Sequence, residues 1–423
     1  MRFALILGLQ MQAAVISYFV YRLTYNEATH KGDPVVLGLI GLWEVIPAIG
    51  FSLFSGHFVD ISDKKKLLLK CILGYLALSV FFVAVSLPIA QKYFTKHSII
   101  WMVYGGIFIG GMLRAFLSPA SFALLGLLMP KKLYPNATTW SSASWQIGAV
   151  VGPLLGGFMI AISGFQISLI AVSAIIFVSL FAISLIPPHP PVQRATKEPI
   201  LKSLGEGMKF VFRSEIILAV LTLDMFAVLF GGAVALLPVY ADDILKVGEV
   251  GFGWLRSAPA IGAVVAILIM SVAPVKKNMG LKLFLCFIGF GITTILFGYC
   301  GYLGGNEVLA NVLGLRISWG FIIAFSMLLL GGMFDSVNVV IRHTILQLYT
   351  PDNMRGRVAA VNTIFISSSN ELGAMESGIT AKWMGTVPAV VFGGCMTLVV
   401  VVTTWFAAPM LRKFNIQHDK DEE

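Results

Sequence analysis

The sequence predicts an all-α membrane protein in which twelve transmembrane helices form two parallel six-helix repeats. Composition is the first reason: 57% of the 423 residues are hydrophobic and 12% are charged, with a mean hydropathy of +0.87, whereas soluble domains average about 25% charged residues. Internal repetition is the second. The run GGMLR at 110–114 returns as GGMFD at 331–335, and PAIG at 47–50 returns at 259–262. Both echoes are displaced by about half the chain, which indicates a duplication.

Apolar stretches of about 20 residues, long enough to cross roughly 30 Å of hydrocarbon, occur twelve times. The predicted spans are 3–21, 35–59, 67–89, 99–121, 137–161, 165–187, 215–238, 252–274, 280–300, 318–341, 358–381 and 387–410. The first is interpreted as a span and not as a signal peptide, because no small-residue cleavage site follows a short apolar region.

The spans divide the chain into two bundles. We expect an N-terminal bundle over 1–187, a linker over 188–214, a C-terminal bundle over 215–411 and a cytoplasmic tail over 412–423. The linker begins with a proline-rich stretch at 187–199, followed at 200–213 by apolar residues at helical spacing, which predict an amphipathic helix on the membrane surface. Six crossings return the chain to the same side, so spans 4 and 10 run in the same direction.

Basic residues alternate between loops in a way that predicts orientation. One set of loops carries Lys64, Lys65, Lys66, Lys131, Lys132, Arg194, Lys197, Lys202, Lys276, Lys277, Arg355, Arg357, Arg412 and Lys413. The alternate loops hold only scattered ones: Lys31, Lys92, Lys96, Lys246 and Lys382. Both termini are therefore expected to be cytoplasmic. The net charge of +9 is explained by this topology and by attraction to anionic lipid, so nucleic acid is not an expected partner.

The sequence lacks the residue patterns that are typical of metal sites, nucleotide-binding sites and catalytic sites. Cys71, Cys286, Cys300 and Cys395 lie within predicted spans without metal-ligand spacing, and the six histidines are scattered. No phosphate-binding GxxxxGK motif occurs. We expect no metal, no cofactor and no enzymatic activity, since no nucleophile, base and orienting residue stand together.

Charged residues inside spans are the candidates for mechanism, because a lone charge at the bilayer centre costs about 3 kcal/mol on insertion scales. The two echoes place opposite charges at equivalent positions: Arg114 against Asp335, and Glu44 against Arg256. In span 10, Asp335, Asn338 and Arg342 recur on one helical face. The full set of cavity or coupling candidates is Asp224, Asp335, Glu371, Arg114, Glu44, Arg256, Asn338, Arg342, Glu376, Gln10 and Gln12. Such residues, in a chain with internal repeats, are typical of a secondary transporter.

Span 5 carries the sharpest resemblance to a known family. Gly148, Gly152, Pro153, Gly156 and Gly157 reproduce the antiporter motif GxxxGPxxGG of the major facilitator superfamily. Glycines at i, i+4 and i+8 share one face and allow a neighbouring helix to approach closely, and Pro153 removes a helical hydrogen bond. The resemblance implies the twelve-helix fold of that family, and the motif implies export in exchange for protons.

The loop after span 2 resembles the family's second motif, GxxxDRxGRR, in part. Gly56, Asp60, Lys64 and Lys65 match, whereas Ile61 and Asp63 stand where arginine and glycine are expected. The resemblance implies a cytoplasmic gate in which Asp60 meets the N-terminal end of helix 11, or its Arg355 and Arg357. Segments 222–241 and 342–362 are similar to the branch of the superfamily that contains the enterobactin exporter and related drug-efflux carriers.

These observations lead to one functional hypothesis. A coupling carboxylate needs a pKa near the working pH, which burial raises and a nearby arginine lowers. We therefore expect Asp224, Asp335 or Glu371 to carry the proton or another cation, with Arg114 pairing to Asp335 or Asp224 in one state only. The expected function is proton-coupled export of an amphiphilic small molecule, such as a drug, a siderophore or a secreted metabolite, by a monomer in the bacterial inner membrane. Uptake or lysolipid translocation by the same fold is the alternative, sodium could replace the proton, and a membrane-embedded sensor is a weaker interpretation.

Overall fold

The computed structural model describes residues 1–26, 31–130, 133–187, 200–273, 278–304, 308–312, 315–351, 354–412 and 414, and these are mostly helical. Twelve helices cross the molecule, and we number them α1 to α12. They are α1 Arg2–Thr24, α2 Pro34–Ile61, α3 Lys64–Ser86, α4 Lys96–Leu128, α5 and α6 as the two arms of Tyr134–Ser184, α7 Glu215–Gly231, α8 Gly248–Val272, α9 Met279–Gly298, α10 Trp319–Tyr349, α11 Arg355–Met384 and α12 Thr386–Ala407. The predicted fold class is confirmed.

Two of these helices would be missed by length and hydropathy alone, which identify ten candidate spans in the described residues. α5 and α6 count there as one stretch, because helical hydrogen bonding runs through their junction. Gly164 divides them with φ 74° and ψ 178°, a conformation that glycine adopts readily because it has no Cβ. α11 is the second case, since its polar residues lower its mean hydropathy. Its 30 residues are long enough to cross a bilayer.

Shorter elements cap the ends of the bundles. The short helices are Pro88–Tyr93, Cys300–Gly304 and Pro409–Arg412. α7 continues through 3₁₀ and α turns into a π turn, Tyr240–Ile244. Between α9 and α10, strands β1 Val308–Val312 and β2 Leu315–Ser318 pair antiparallel, with Val312 opposite Leu315. Met1 and the end of α12 lie at one end of the molecule, here called the terminal end. The other end, which holds the π turn and the hairpin, is called the distal end.

Local sequence explains where the helices begin. Asp33 caps α2 by accepting a hydrogen bond from the backbone N–H of Val35 at 3.0 Å, and Pro34 follows at the first helical position. Asp63, which stands where the family motif has glycine, caps α3 by accepting from Lys65 and Lys66 at 3.0 and 3.1 Å. The departure from the motif therefore supplies a helix cap.

The duplication is visible in three dimensions, because the two sequence echoes contact each other in each half. In the N-terminal half, a Cβ on Gly111 of α4 would lie 2.8 Å from Pro47 of α2. In the C-terminal half, a Cβ on Gly332 of α10 would lie 2.5 Å from the Cα of Pro259 of α8. The α2–α4 crossing and the α8–α10 crossing are thus built from the same glycine and proline positions.

The linker helix Ile200–Arg213 forms as predicted. Its Val211 is fully buried, and its Glu206 forms an ion pair with Arg357 of α11. A Cβ on Gly207 would lie 2.9 Å from the Arg357 carbonyl oxygen. This helix therefore packs on the terminal end of α11. The proline-rich stretch 188–199 and residues 415–423 of the tail lie outside the described residues.

Candidate functional site

Among the described residues, two helix pairs form the largest contacts between the N-terminal half, α1 to α6, and the C-terminal half, α7 to α12. α2 meets α11 near Gly38 and Gly378: a Cβ on either would lie 2.7 Å from a backbone carbonyl oxygen of the other helix. α5 meets α8 near Gly157 and Gly253, where a Cβ on Gly253 would lie 2.8 Å from the Pro153 carbonyl oxygen. These glycines allow backbone contact between the halves.

The antiporter motif divides its glycines between two neighbours. Gly148, Gly152 and Gly156 face α1, and a Cβ on Gly152 would lie 2.7 Å from the Cβ of Gln10. Gly157 instead faces α8, directly against the Glu249 carbonyl oxygen. One motif therefore holds the N-terminal half together and also forms part of the contact between the halves.

A charge cluster lies at the α2–α11 contact, near the middle of the membrane. Arg114 Nη1 lies 2.5 Å from Glu44 Oε1 in its own half and 3.4 Å from Glu371 Oε1 in the other half. Glu371 lies about midway along α11. Arg256 of α8 is near enough to act electrostatically on this cluster through Glu44 and Glu371. We call these four residues the central cluster.

Arg256 itself makes no ion pair or hydrogen bond with any described residue. Its guanidinium lies 6.0 Å from the ring centroid of Phe252, a cation–π distance. The central cluster therefore holds two carboxylates and two guanidinium groups, with one arginine shared between the halves.

A second cluster lies within the C-terminal half. Arg342 of α10 forms an ion pair with Asp224 of α7, and their side chains are only 4% and 6% exposed. Asp335, on the same face of α10, is half-buried and has no ion pair or hydrogen bond in the described part of the chain. Asn338 is 1% exposed and both of its amide atoms lack partners.

Asp224, Asp335 and Arg342 border a cavity of about 200 Å³, which we call the C-half cavity, whereas Asn338 does not line it. Asp224, Asp335 and Arg342 supply its charges, and Phe290 and Phe297 of α9 form aromatic walls.

In this conformation Arg114 pairs with neither Asp335 nor Asp224. Arg114 is directed across the α2–α11 contact, while Asp224 is held by Arg342 inside its own half. A pair of Arg114 with Asp335 or Asp224 in the other state stays a prediction. The rotation of each helix about its axis decides which side chains pair. Equivalent positions in the two repeats predict only that the residues lie at the same depth in the membrane. Of the three coupling candidates, Glu371 is the one whose partner lies in the opposite half.

Polar residues at the distal end form a latch that the sequence reasoning missed. Tyr18 of α1 donates to Asp242 at 2.6 Å, and Tyr21 donates to Asp243 at 2.5 Å. Arg22 lies 2.8 Å from Glu249. We call these residues, with both tyrosine rings fully buried, the distal latch.

The residues of this latch lie near the ends of predicted spans. Tyr18 and Tyr21 lie in the last turn of span 1, Arg22 follows it directly, and the adjacent aspartates follow span 7.

The remaining candidates are dispersed. Gln10 and Gln12 lie on α1, and Gln12 is 8% exposed with an unpartnered Oε1. The Thr380 hydroxyl of α11 donates to the backbone carbonyl oxygen of Glu376 at 2.8 Å. Neither α1 glutamine nor Glu376 joins a charge cluster among the described side chains.

The predicted cytoplasmic gate is described in part. The surroundings of Gly56 and the side chain of Asp60, in the last turns of α2, lie outside the described part of the chain. A contact of Asp60 with Arg355 or Arg357 therefore stays a prediction. Lys65 donates to the carbonyl oxygens of Ser184 and Ile186. Its role is therefore inside the N-terminal half, between α3 and α6.

Lys64 also has a local contact, since it donates to the Ser62 carbonyl oxygen at 3.0 Å. The ion pair of Arg357 with Glu206 ties the start of α11 to the linker helix. These contacts organise each half at its terminal end.

The contacts between halves show which end is closed. The Gly38–Gly378 contact, the distal latch and the Arg114–Glu371 pair all lie between the membrane middle and the distal end. The molecule is therefore closed at its distal end.

Comparisons with known proteins agree with this architecture. The sequence profile of the Major Facilitator Superfamily matches residues 2–374. The enterobactin exporter EntS of Shigella boydii serotype 18 is 25% identical over 271 residues, which are 64% of this chain and 60% of that protein. The exporter of the same name from Escherichia coli O1:K1 is 24% identical over 270 residues, with the same coverage. The match thus spans less than two thirds of these relatives.

Solved structures share the fold at low identity. A D-xylose-proton symporter superposes with a TM-score of 0.72 at 13% identity, covering 98% of both chains. An inward-facing bacterial homolog of the human lysosomal transporter Spinster gives 0.63 at 14% identity, covering 97% of this chain and 95% of that one. Since the family profile covers most of the sequence, the chain belongs to the Major Facilitator Superfamily and is a multi-pass membrane transporter.

Proposed function

We propose that this transporter is a proton-coupled antiporter that exports an amphiphilic small molecule by alternating access. The observation that carries the proposal is the Arg114–Glu371 ion pair, at 3.4 Å, across the two halves in mid-membrane. Motion that opens the distal end must separate α2 from α11 and so remove Arg114 from Glu371. The charge environment of Glu371 therefore alternates with access.

The sign of the coupling follows from that pair. When the distal end is closed, ionised Glu371 forms the ion pair with Arg114, and its proton is released toward the terminal end. When the distal end opens, this ion pair is broken and Glu371 binds a proton. A proton thus enters from the distal side and leaves at the terminal side, while substrate moves the opposite way.

Export rather than uptake is supported by two features. The antiporter motif packs in full against α1 and α8, and the curated relatives carry the name of an enterobactin exporter. We propose drugs, siderophores and secreted metabolites as the substrate range. The alternation of basic loop residues supports a cytoplasmic terminal end, and we propose that the protein acts as a monomer in a bacterial inner membrane.

Transport in proteoliposomes tests the proposal. The purified protein is reconstituted in vesicles that contain a fluorescent pH reporter, and a compound panel that includes enterobactin is added against an imposed pH gradient. We expect at least one compound to dissipate the gradient in the wild type and none to do so in Glu371→Gln. Glu215→Gln, at an exposed position outside both clusters, is the matched control. Substrate movement at the same rate with and without the pH gradient contradicts proton coupling. Accumulation of substrate on the terminal side, driven by the gradient, indicates uptake.

A further inference from the structure

The C-half cavity contains a carboxylate whose expected partner is elsewhere. In the N-terminal half, the echo positions Glu44 and Arg114 are paired at 2.5 Å. Their equivalents in the C-terminal half are Arg256 and Asp335, each three residues from the same glycine–proline crossing. They do not pair, because Arg256 is directed toward Phe252 and the central cluster.

The charge of the cavity favours a cation. Arg342 is the cation that acts on Asp335, and it is already engaged by Asp224. With both carboxylates ionised, the three charged residues carry a formal charge of −1. An uncompensated carboxylate at membrane depth is costly, so the site is stabilised either by a proton on one carboxyl group or by a positively charged ligand group.

The walls of the cavity specify the kind of cation. Phe290 and Phe297 line it beside Thr293 and Thr294. Aromatic faces attract substituted ammonium groups, whereas a hard metal ion requires oxygen ligands on all sides. The volume of about 200 Å³ is below the ~300 Å³ at which pockets begin to enclose drug-sized ligands. The cavity therefore suits one charged group of a larger molecule.

An unsatisfied polar atom provides a second, independent sign of a ligand. Arg342 lines the cavity, and its buried Nε has no acceptor among the described residues. Buried polar groups normally have hydrogen-bond partners, and a ligand with an acceptor atom beside its ammonium group would supply one to Arg342.

We propose that the C-half cavity binds the ammonium group of a cationic amphiphile, with Asp335 as counter-ion and Phe290 and Phe297 as aromatic walls. This assignment rests on the proposed transport of small molecules and narrows the substrate class. The apolar remainder of the substrate extends from the cavity toward the cleft between the halves.

Equilibrium binding to the purified full-length protein in detergent tests the site without any gradient. The probes are benzyltrimethylammonium and benzenesulfonate, which are similar in size and opposite in charge. We expect calorimetric titration to detect the cation and to show at least about tenfold weaker binding of the anion. No detectable binding of the cation, or equal binding of both probes, overturns the proposal.

Variants assign the binding to these residues. Asp335→Asn should weaken cation binding about tenfold, while Asp335→Glu should retain it within about threefold. Phe290→Leu keeps an apolar wall without an aromatic face and should weaken the cation by about threefold. Glu215→Gln is the control, and thermal unfolding verifies that each variant is folded. Wild-type affinity in both Asp335→Asn and Phe290→Leu contradicts the site. If one of the two variants fails to fold, wild-type affinity in the other variant contradicts it.

The two proposals fail separately. Loss of the predicted binding pattern, together with gradient-driven transport that depends on Glu371, removes the ammonium site and leaves proton-coupled export in place. The predicted binding pattern without gradient-driven transport retains the site and removes the proposed coupling.

Discussion

At the residue scale, the central feature is that one arginine serves two carboxylates in different halves. Arg114 is close to Glu44 in its own half, at 2.5 Å, and more distant from Glu371, at 3.4 Å. The shorter contact can persist when the halves move, because α2 and α4 move together. The longer contact depends on the α2–α11 interface. Glu44 therefore holds Arg114 in position, and Glu371 senses the conformational state.

Removing the shared cation should destabilise the protein. Arg114→Gln leaves Glu44 and Glu371 without their arginine, and we expect a loss of about 1–2 kcal/mol in unfolding free energy. This is below the roughly 3–5 kcal/mol of a fully buried pair, because the Arg114 side chain is 48% exposed and its charges are screened. Denaturant unfolding in detergent measures it. The triple variant with Glu44→Gln and Glu371→Gln should recover most of the loss, and a failure to recover contradicts an electrostatic origin.

At the element scale, the two halves contact each other at glycine positions of their helices. Gly157 of α5 and Gly253 of α8 bring two helices into backbone contact, and the neighbouring motif glycines hold α5 against α1. The α5–α8 contact lies between helices that belong to different halves. Its tightness therefore contributes to the closed distal end, together with the distal latch.

Gly157→Ala should shift the protein away from the closed distal end. The new methyl group would meet the Glu249 carbonyl oxygen and lie 2.9 Å from the Cα of Gly253, so α8 must move away. We expect faster hydrogen exchange in the π turn Tyr240–Ile244, measured by mass spectrometry. Gly156→Ala is the matched control, since its Cβ would meet α1 atoms at 3.4–3.5 Å, an ordinary contact. Equal effects of the two substitutions would mean that the α5–α8 contact does not hold the distal end closed.

At the scale of the whole molecule, sequence predicted the fold and the inventory of charges better than their pairing. Twelve helices in two repeats were predicted from the span lengths, the basic loops and the two echoes. These features are visible in the sequence because the hydrophobic thickness of a bilayer sets the length of each apolar stretch and duplication leaves repeated motifs. The partners of Arg114 in this conformation, Glu44 and Glu371, were not predicted, since they depend on how the helices rotate about their axes. The sequence also did not show that Asp335 lacks an ion pair. Arg256 occupies the position equivalent to Glu44, but its side chain is directed toward Phe252.

The distal latch shows a different limit. Its tyrosines resemble the aromatic residues common at membrane interfaces, so their pairing with Asp242 and Asp243 in the other half had no distinct pattern. Only the folded chain brings residues more than 220 positions apart into contact.

The whole-molecule claim is that protonation of Glu371 controls which end is open. Protonation of Glu371 removes the charge that pairs with Arg114 across the halves, so it weakens the α2–α11 contact and is expected to favour the distal-open state. Protonation of Asp242 or Asp243 in the distal latch would act in the same direction. A test of the claim must therefore separate Glu371 from the latch.

The most direct test measures the distance between spin labels on the two halves at the distal end by pulsed electron resonance. Labels replace the exposed side chains of Tyr93 and Tyr302 in a chain whose four cysteines are replaced by alanine. As pH falls from about 8 to about 5, we predict that the population with the longer distance grows in the wild type and that Glu371→Gln removes most of this response, with Glu215→Gln as control. A pH response of wild-type size in Glu371→Gln would contradict coupling through this residue.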